Sequence, residues 1–246
     1  MIRSARAAGR LLRCLLHILH GLGLIWLRFE SIDAPARLVF IQWWASKTLV
    51  LLGIEMRVQG APAAGRTLLV ANHVSWLDIM AVHAVCPRAR FVSKAAVRSW
   101  PLLRGLADAA GTLYLERERK RDALRVVHTV AQALQAGDLV AVFPEGTTSD
   151  GHVLLPFHAN LLQAAIATET PVQALALRFS DSSNAISRAV EYVGDTSLIE
   201  SLWRIACGHG IVVHIALLAP RASAQWGRRE LAQVLRADIE AALAKI

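Results

Sequence analysis

Beyond residue 58 the chain alternates between short unbroken apolar runs and longer amphipathic stretches, two patterns with different periods and different structural meanings. Runs such as Leu68-Leu69-Val70-Ala71 and Leu139-Val140-Ala141-Val142 are apolar at every position, as strands buried on both faces are. The pattern predicts strands at 67–71, 90–93, 112–116, 139–143, 172–178, 189–193 and 211–218. Helices are predicted at 79–85, 117–136, 159–169, 198–207 and 228–245, with Gly137-Asp138 stopping the long helix just before the next strand. Such alternation predicts an α/β fold, a mixed and largely buried sheet flanked by helices. No internal repeat or low-complexity tract interrupts it.

The first 57 residues are organised differently, dividing the chain into an N-terminal apolar two-helix segment, 1–57, and an α/β domain, 58–246. Arg3, Arg6, Arg10 and Arg13 precede an apolar run at 15–27; after a polar break with Glu30, Asp33 and Pro35 a second run covers 38–54. A helix of about twenty residues is needed to cross a bilayer core. Both runs are shorter, and they carry or adjoin Arg13, His17, His20 and Lys47. They are expected to form a hairpin that dips into one leaflet, with Trp26, Trp43 and Trp44 at headgroup level. A single spanning helix, a cleavable signal peptide ending near Ala34-Pro35-Ala36, and packing of 38–54 on the globular core are the alternatives.

Composition points the same way. Of 246 residues 54% are hydrophobic and mean hydropathy is +0.40, a balance that leans toward lipid. A formal charge of +8 favours an anionic partner such as a phospholipid surface or an acidic carrier protein. Nucleic acid fits less well, because the tryptophans concentrate in apolar segments instead of interleaving with the basic residues. Cys14, Cys86 and Cys207 are scattered and odd in number, which suggests neither a disulfide framework nor a zinc site.

Two strings carry chemistry. In Asn72-His73-Val74-Ser75-Trp76-Leu77-Asp78 the imidazole stands five positions before the carboxylate, and five helical steps turn about 500°. The two side chains can therefore meet only if His73 lies in the loop before a helix and Asp78 in its first turn. There His73 would take a proton from a substrate hydroxyl while Asp78 orients the ring and stabilises the imidazolium. The same string also fits a capping box, with Ser75 as N-cap and Asp78 at the third helical position. Phe143-Pro144-Glu145-Gly146-Thr147 follows a buried strand, at the edge where crevices form in α/β sheets. Gly146 permits close backbone approach and Thr147 offers a hydroxyl to an anion. Glu145 is expected to bridge to Arg117 and steady its guanidinium, or to bind an acceptor hydroxyl. Arg117 opens the charged run before a long helix, either as part of a solvated face or as a two-pronged anion contact.

Other chemistries lack their motifs. There is no Gly-x-Ser-x-Gly elbow and no phosphate-binding Gly-x-x-x-x-Gly-Lys-Ser/Thr loop, and Gly21-Leu22-Gly23 lacks the context of a dinucleotide site. His152, His158, His209 and His214 lack ligand spacing, so no metal is predicted.

The ordered blocks resemble the bacterial glycerolipid acyltransferases, both 1-acylglycerol-3-phosphate and lyso-ornithine lipid acyltransferases. Besides the two strings, Gly111-Thr112-Leu113-Tyr114-Leu115-Glu116-Arg117 and the stretch 91–105, with Lys94, Pro101 and Gly105, are similar to family blocks. The resemblance covers about 67–178. It implies His73 and Asp78 as the catalytic pair and Arg117 as the phosphate contact, with Lys94, Glu145, Gly146 and Thr147 also in the substrate site. The implied reaction moves a fatty acyl group from an acyl-CoA or acyl carrier protein thioester to the free hydroxyl of a lysolipid, with no permanently bound cofactor. The expected acceptor is 1-acylglycerol-3-phosphate, with lyso-ornithine lipid next, and the expected location is the cytoplasmic face of the inner membrane, on anionic lipids. A non-catalytic membrane-associated lipid-binding protein is the alternative of another class. Ala174 departs from the family, whose last block usually has proline there; the change is expected to relax a strand end near the acyl tunnel that the family implies.

Overall fold

The computed structural model describes residues 2–94, 99–115 and 120–246. The described chain runs α1 (Ile2–Arg28), α2 (Ala34–Leu52), β1 (Ile54–Gln59), β2 (Thr67–Ala71), α3 (Leu77–Val85), β3 (Ala89–Lys94), α4 (Pro101–Ala109), β4 (Leu113–Leu115), α5 (Lys120–Gln135), β5 (Leu139–Val142), α6 (Leu162–Ala167), β6 (Val172–Ser180), α7 (Leu198–Cys207), β7 (Ile211–Leu217) and α8 (Arg228–Leu243). Seven strands form one mixed sheet in the order β1-β7-β6-β2-β5-β3-β4, with only β6 and β7 antiparallel among its pairs. The mixed, largely buried sheet flanked by helices is the expected class.

Side-chain alternation sends Leu69, Ala71, Leu175 and Leu177 to a core shared with α2, α3 and α7, and Leu68, Val70, Ala174 and Ala176 to one shared with α5, α6 and α8. Ala174 corrects one expectation. It sits inside β6, opposite Val70 and facing the α5–α6–α8 layer, and its carbonyl accepts the Leu218 N–H at 3.0 Å. It is not a loosened strand end.

Three other expectations change. Residues 189–193 are not a strand: they belong to an irregular segment after β6, where Val190 is buried and the Tyr192 N–H donates to the Val74 carbonyl at 3.3 Å. Their inward apolar side chains cover the loop after β2 without joining a ladder. Conversely, β1 and α4 were not foreseen. β1, with alternating sequence Ile-Glu-Met-Arg-Val-Gln, pairs with β7 along its length and straddles position 57.

The N-terminal segment is two helices, and they are bound into the body. α1 is 27 residues long, about 40 Å at 1.5 Å per residue, because the arginine-rich start is helical too. That makes Ser4–Arg28 long and apolar enough to cross a membrane by length and composition. Its Ala7, Cys14, His17 and Gly21 face inward, while Leu12, Leu16, Leu19 and Trp26 are exposed. A Cβ on Gly21 would come within 2.4 Å of the Trp44 indole nitrogen, so this glycine is what lets α1 and α2 close up. Arg10 donates to the Ala206 and Gly208 carbonyls at 3.0 and 2.8 Å, capping the C-terminus of α7. α2 buries Leu49 and Leu52 completely, and at roughly 1.5–3 kcal/mol for each such side chain this helix is part of the core. The packing of 38–54 on the globular body, one of the alternatives, is therefore present within the hairpin; the helix stops at Leu52, before Gly53.

Candidate active site

β2, β5, β3 and β4 are adjacent and parallel, so their carboxyl ends share one edge of the sheet. His73 follows β2, the 143–147 string follows β5, and Lys94 ends β3 opposite Leu115 of β4. Arg117 stands two positions beyond β4 in the sequence and lies outside the described residues. Topology thus gathers blocks that are about seventy residues apart in the chain.

The turn from β2 into α3 is built around one carboxylate oxygen. Asp78 is 0% exposed, and its Oδ2 accepts from the His73 ring Nδ1 at 2.7 Å, the Val74 N–H at 2.7 Å and the Ser75 N–H at 2.9 Å. A carboxylate oxygen can only accept, so Nδ1 carries a proton, and in the neutral ring the lone pair is on Nε2. Half of the capping box is present as well, since Asp78 takes the Ser75 N–H. The Ser75 hydroxyl is buried without a partner among the described residues, and α3 has Trp76 at its N-cap with no side-chain cap. Asn72 holds the other flank: its side chain exchanges two 2.8 Å hydrogen bonds with the Leu177 main chain, continuing the β2–β6 ladder past its last paired residue.

The 143–147 string closes on this turn. Phe143 stacks on the His73 ring with centroids 3.9 Å apart and planes 7° apart, and Phe91 stacks on Phe143 at 5.5 Å. The stack fixes the plane of the imidazole and offers an aromatic face to its charged form. Glu145 is 3% exposed; its Oε1 accepts the His73 N–H at 2.7 Å and its Oε2 the Leu155 N–H at 2.9 Å. Burial pushes its carboxyl above the ordinary carboxylate range, against the pull of the Leu155 and His73 N–H groups. Among the described residues Glu145 ties the main chain of the histidine turn to the loop after β5, and the bridge to Arg117 expected of it lies outside the described residues. Gly146 has φ +72°, a conformation that favours glycine, and lies against the His158 ring. Thr147 is exposed beside it, and the Ser149 N–H donates to the His73 carbonyl at 2.8 Å.

With the N–H groups of His73, Val74 and Ser75 all taken by carboxylates, these three are not available to a developing oxyanion. Sequence reasoning also missed Phe143 as the ring partner and Asn72 as the ladder extension. Both lie within the quoted strings, but stacking and side-chain-to-backbone pairing leave no periodic signal.

A cavity of about 590 Å³ is lined in part by His73, Phe143, Gly146 and Thr147. It is also lined by Ile18, Leu24 and Phe40 of the hairpin, Met80 of α3, Leu106 of α4 and Leu202 of α7. The volume lies within the range of small-molecule sites. With His73 on its wall and mostly apolar residues beyond, the cavity suits an apolar ligand.

Fold and site together define an α/β lipid enzyme with a histidine–aspartate pair, and the comparisons give the family. Residues 54–178 match the family described as Acyltransferase, and the chain belongs to it. It is 35% identical to the lyso-ornithine lipid O-acyltransferase of Pseudomonas aeruginosa, over 99% of this chain and 93% of that protein. It is 37% identical to the 1-acyl-sn-glycerol-3-phosphate acyltransferase of Neisseria meningitidis serogroup B, over 67% of this chain and 64% of that one. The fold matches the crystal structure of the 1-acyl-sn-glycerophosphate acyltransferase PlsC from Thermotoga maritima with a TM-score of 0.69 and 19% identity, over 96% and 97% of the two chains. The protein is an O-acyltransferase of the lysophospholipid type, and α1 is its candidate membrane anchor.

Proposed function

We propose that the protein transfers a fatty acyl group from a thioester to the free hydroxyl of a lysolipid, with His73 as general base and Asp78 as its orienting partner. The observation that carries this reading is the 2.7 Å His73–Asp78 contact beside the apolar cavity that His73 lines. Nε2 takes the hydroxyl proton as the oxygen attacks the thioester carbonyl; the C–O bond forms, the C–S bond breaks, and the imidazolium returns the proton to the departing sulfur. Asp78 stabilises the imidazolium between the two transfers, and Phe143 holds the ring in line. Glu145 fixes the main chain from which His73 projects. The fatty chain occupies the cavity under the hairpin, and Arg117 and Lys94 meet the acidic group of the acceptor's head, a carboxylate or a phosphate.

The relative that matches over nearly its full length supports lyso-ornithine lipid as the acceptor, ahead of 1-acylglycerol-3-phosphate, reversing the order read from the motifs. The donor is an acyl-CoA or acyl carrier protein thioester, both anionic and suited to a chain of charge +8. The protein works at the cytoplasmic face of the inner membrane, on anionic lipids, with α1 along the interface. Purified protein in vesicles, offered each acceptor with each donor, tests the assignment. Thiol release that depends on one acceptor and yields its diacyl product supports it. Lysolipid binding without turnover from either donor would leave the lipid-binding alternative standing.

A further inference from the structure

Residues 147–160 form neither helix nor strand, so their shape is set by whatever grasps their main chain. Both main-chain polar groups of His73 end on or beside this segment: the N–H on Glu145 Oε1 at 2.7 Å, and the carbonyl on the Ser149 N–H at 2.8 Å. The segment closes on itself where the His158 N–H donates to the Pro144 carbonyl at 2.8 Å. α8 grips it from the other side. Arg236 donates from Nη2 to the Leu154 carbonyl at 2.8 Å and from Nε to the Leu155 carbonyl at 3.4 Å. Its Nη1 lies 3.4 Å from Glu240 Oε2, one turn on in the same helix. The base of this arm is firm, because Leu231, Leu235 and Ile239, spaced four apart, seat α8 in the core.

The Leu154 carbonyl and the Leu155 N–H belong to one planar peptide unit, whose two polar groups point in opposite directions. Arg236 holds the carbonyl side, and Glu145 Oε2 accepts from the N–H side at 2.9 Å. A planar unit cannot turn at one end and stay still at the other, and both of these bonds are charge-assisted. The contacts therefore run in series: guanidinium, peptide, carboxylate, His73 main chain. We propose that Arg236 is a positioning residue for acyl transfer, fixing the Glu145 carboxylate and through it the main chain from which His73 projects. Arg236 does not line the cavity, so its effect falls on the chemical step and not on substrate binding. The inference rests on the acyltransferase reading above, because it takes His73 as the base whose placement sets the rate.

Wild-type protein in vesicles, given the donor and acceptor that it turns over best, is the reference, and its turnover is the check that the proposed function must pass on its own. Against that reference Arg236→Gln lowers kcat about tenfold with KM for donor and acceptor unchanged, short of the roughly 10²-fold that an ångström of misplacement costs. Arg236→Lys keeps the charge but lacks the fork that grips two carbonyls, and recovers part of the loss. Should Arg236→Gln melt below the assay temperature, Arg236→Lys carries the same comparison, kcat down with KM unchanged. Arg221→Gln is the control for α8 itself: it removes a 2.8 Å contact with Asp238 of that helix and leaves kcat as in the wild type. In a Glu145→Gln background, where the carboxylate tie is already broken, Arg236→Gln costs less than about twofold. An equal loss in both backgrounds would overturn the proposal. So would an unchanged kcat in Arg236→Gln, a loss confined to KM, or a fall in kcat shared equally by Arg221→Gln.

Discussion

Asp78 Oδ2 accepts three hydrogen bonds, one from the His73 ring and two from the main chain of the turn that carries it, so orientation of the ring and shape of the turn have a common origin. Asp78→Asn puts an amide where an acceptor is needed and leaves the ring free to take the wrong tautomer. Thiol release from an acyl thioester should fall about 10²–10⁴-fold, as for loss of an oriented general base. Phe143→Leu removes the stacked face while sparing the His73–Asp78 hydrogen bond; kcat should drop about tenfold with KM nearly constant, as lost orientation and lost stabilisation of the imidazolium predict. A pure KM effect would place Phe143 in substrate binding instead. Buried His83 of α3 gives a stability test. Burial depresses its imidazole to about 4 from 6.5, so the unfolded chain binds the extra proton between those values, and stability is lost as pH falls through that window. The loss is on the order of 3 kcal/mol at its full extent. Denaturant titrations at pH 7 and pH 4 should show a smaller acid loss in His83→Leu than in the wild type; equal losses would remove His83 as the cause.

α1 and α2 have a double character. One side of each is core and the other is open apolar surface, with Leu12, Leu16, Leu19 and Trp26 exposed on α1. Leu12, Leu16 and Leu19 follow one helical stripe, which suits a helix lying in the headgroup region. Replacing these three with serine should release the protein from anionic vesicles in a flotation assay while the circular dichroism spectrum and turnover of a detergent-dispersed substrate persist. Continued flotation would show that another surface holds the membrane. The helices of the hairpin were legible because runs of apolar residues are a local signal; that they are also core was not, because burial of Leu49 and Leu52 depends on partners far away in the chain. Residues 189–193 misled for the same reason, their apolar side chains serving a covering loop. β1 was missed because its alternating polar residues make it resemble an exposed edge more than the buried strands that set the pattern.

Across the whole molecule, the His73–Asp78 contact could be foreseen because only five positions separate the two, and a loop-to-helix corner is the one geometry that joins them. The tie from Glu145 to the His73 main chain could not, since it spans 72 residues and ends on a backbone atom that any residue would supply. Strand order β2-β5-β3 turns motifs that are distant in sequence into neighbours, and the hairpin roofs the space in front of them, so the domain and the N-terminal helices make the cavity jointly. The central claim is that this arrangement transfers an acyl group through His73. The most direct measurement is thioester consumption together with diacyl-lipid formation in vesicles by wild-type protein and by His73→Ala of equal folding and membrane binding. The account predicts acceptor-dependent turnover that falls by about 10³-fold or more in the variant; comparable turnover by the two proteins would contradict it.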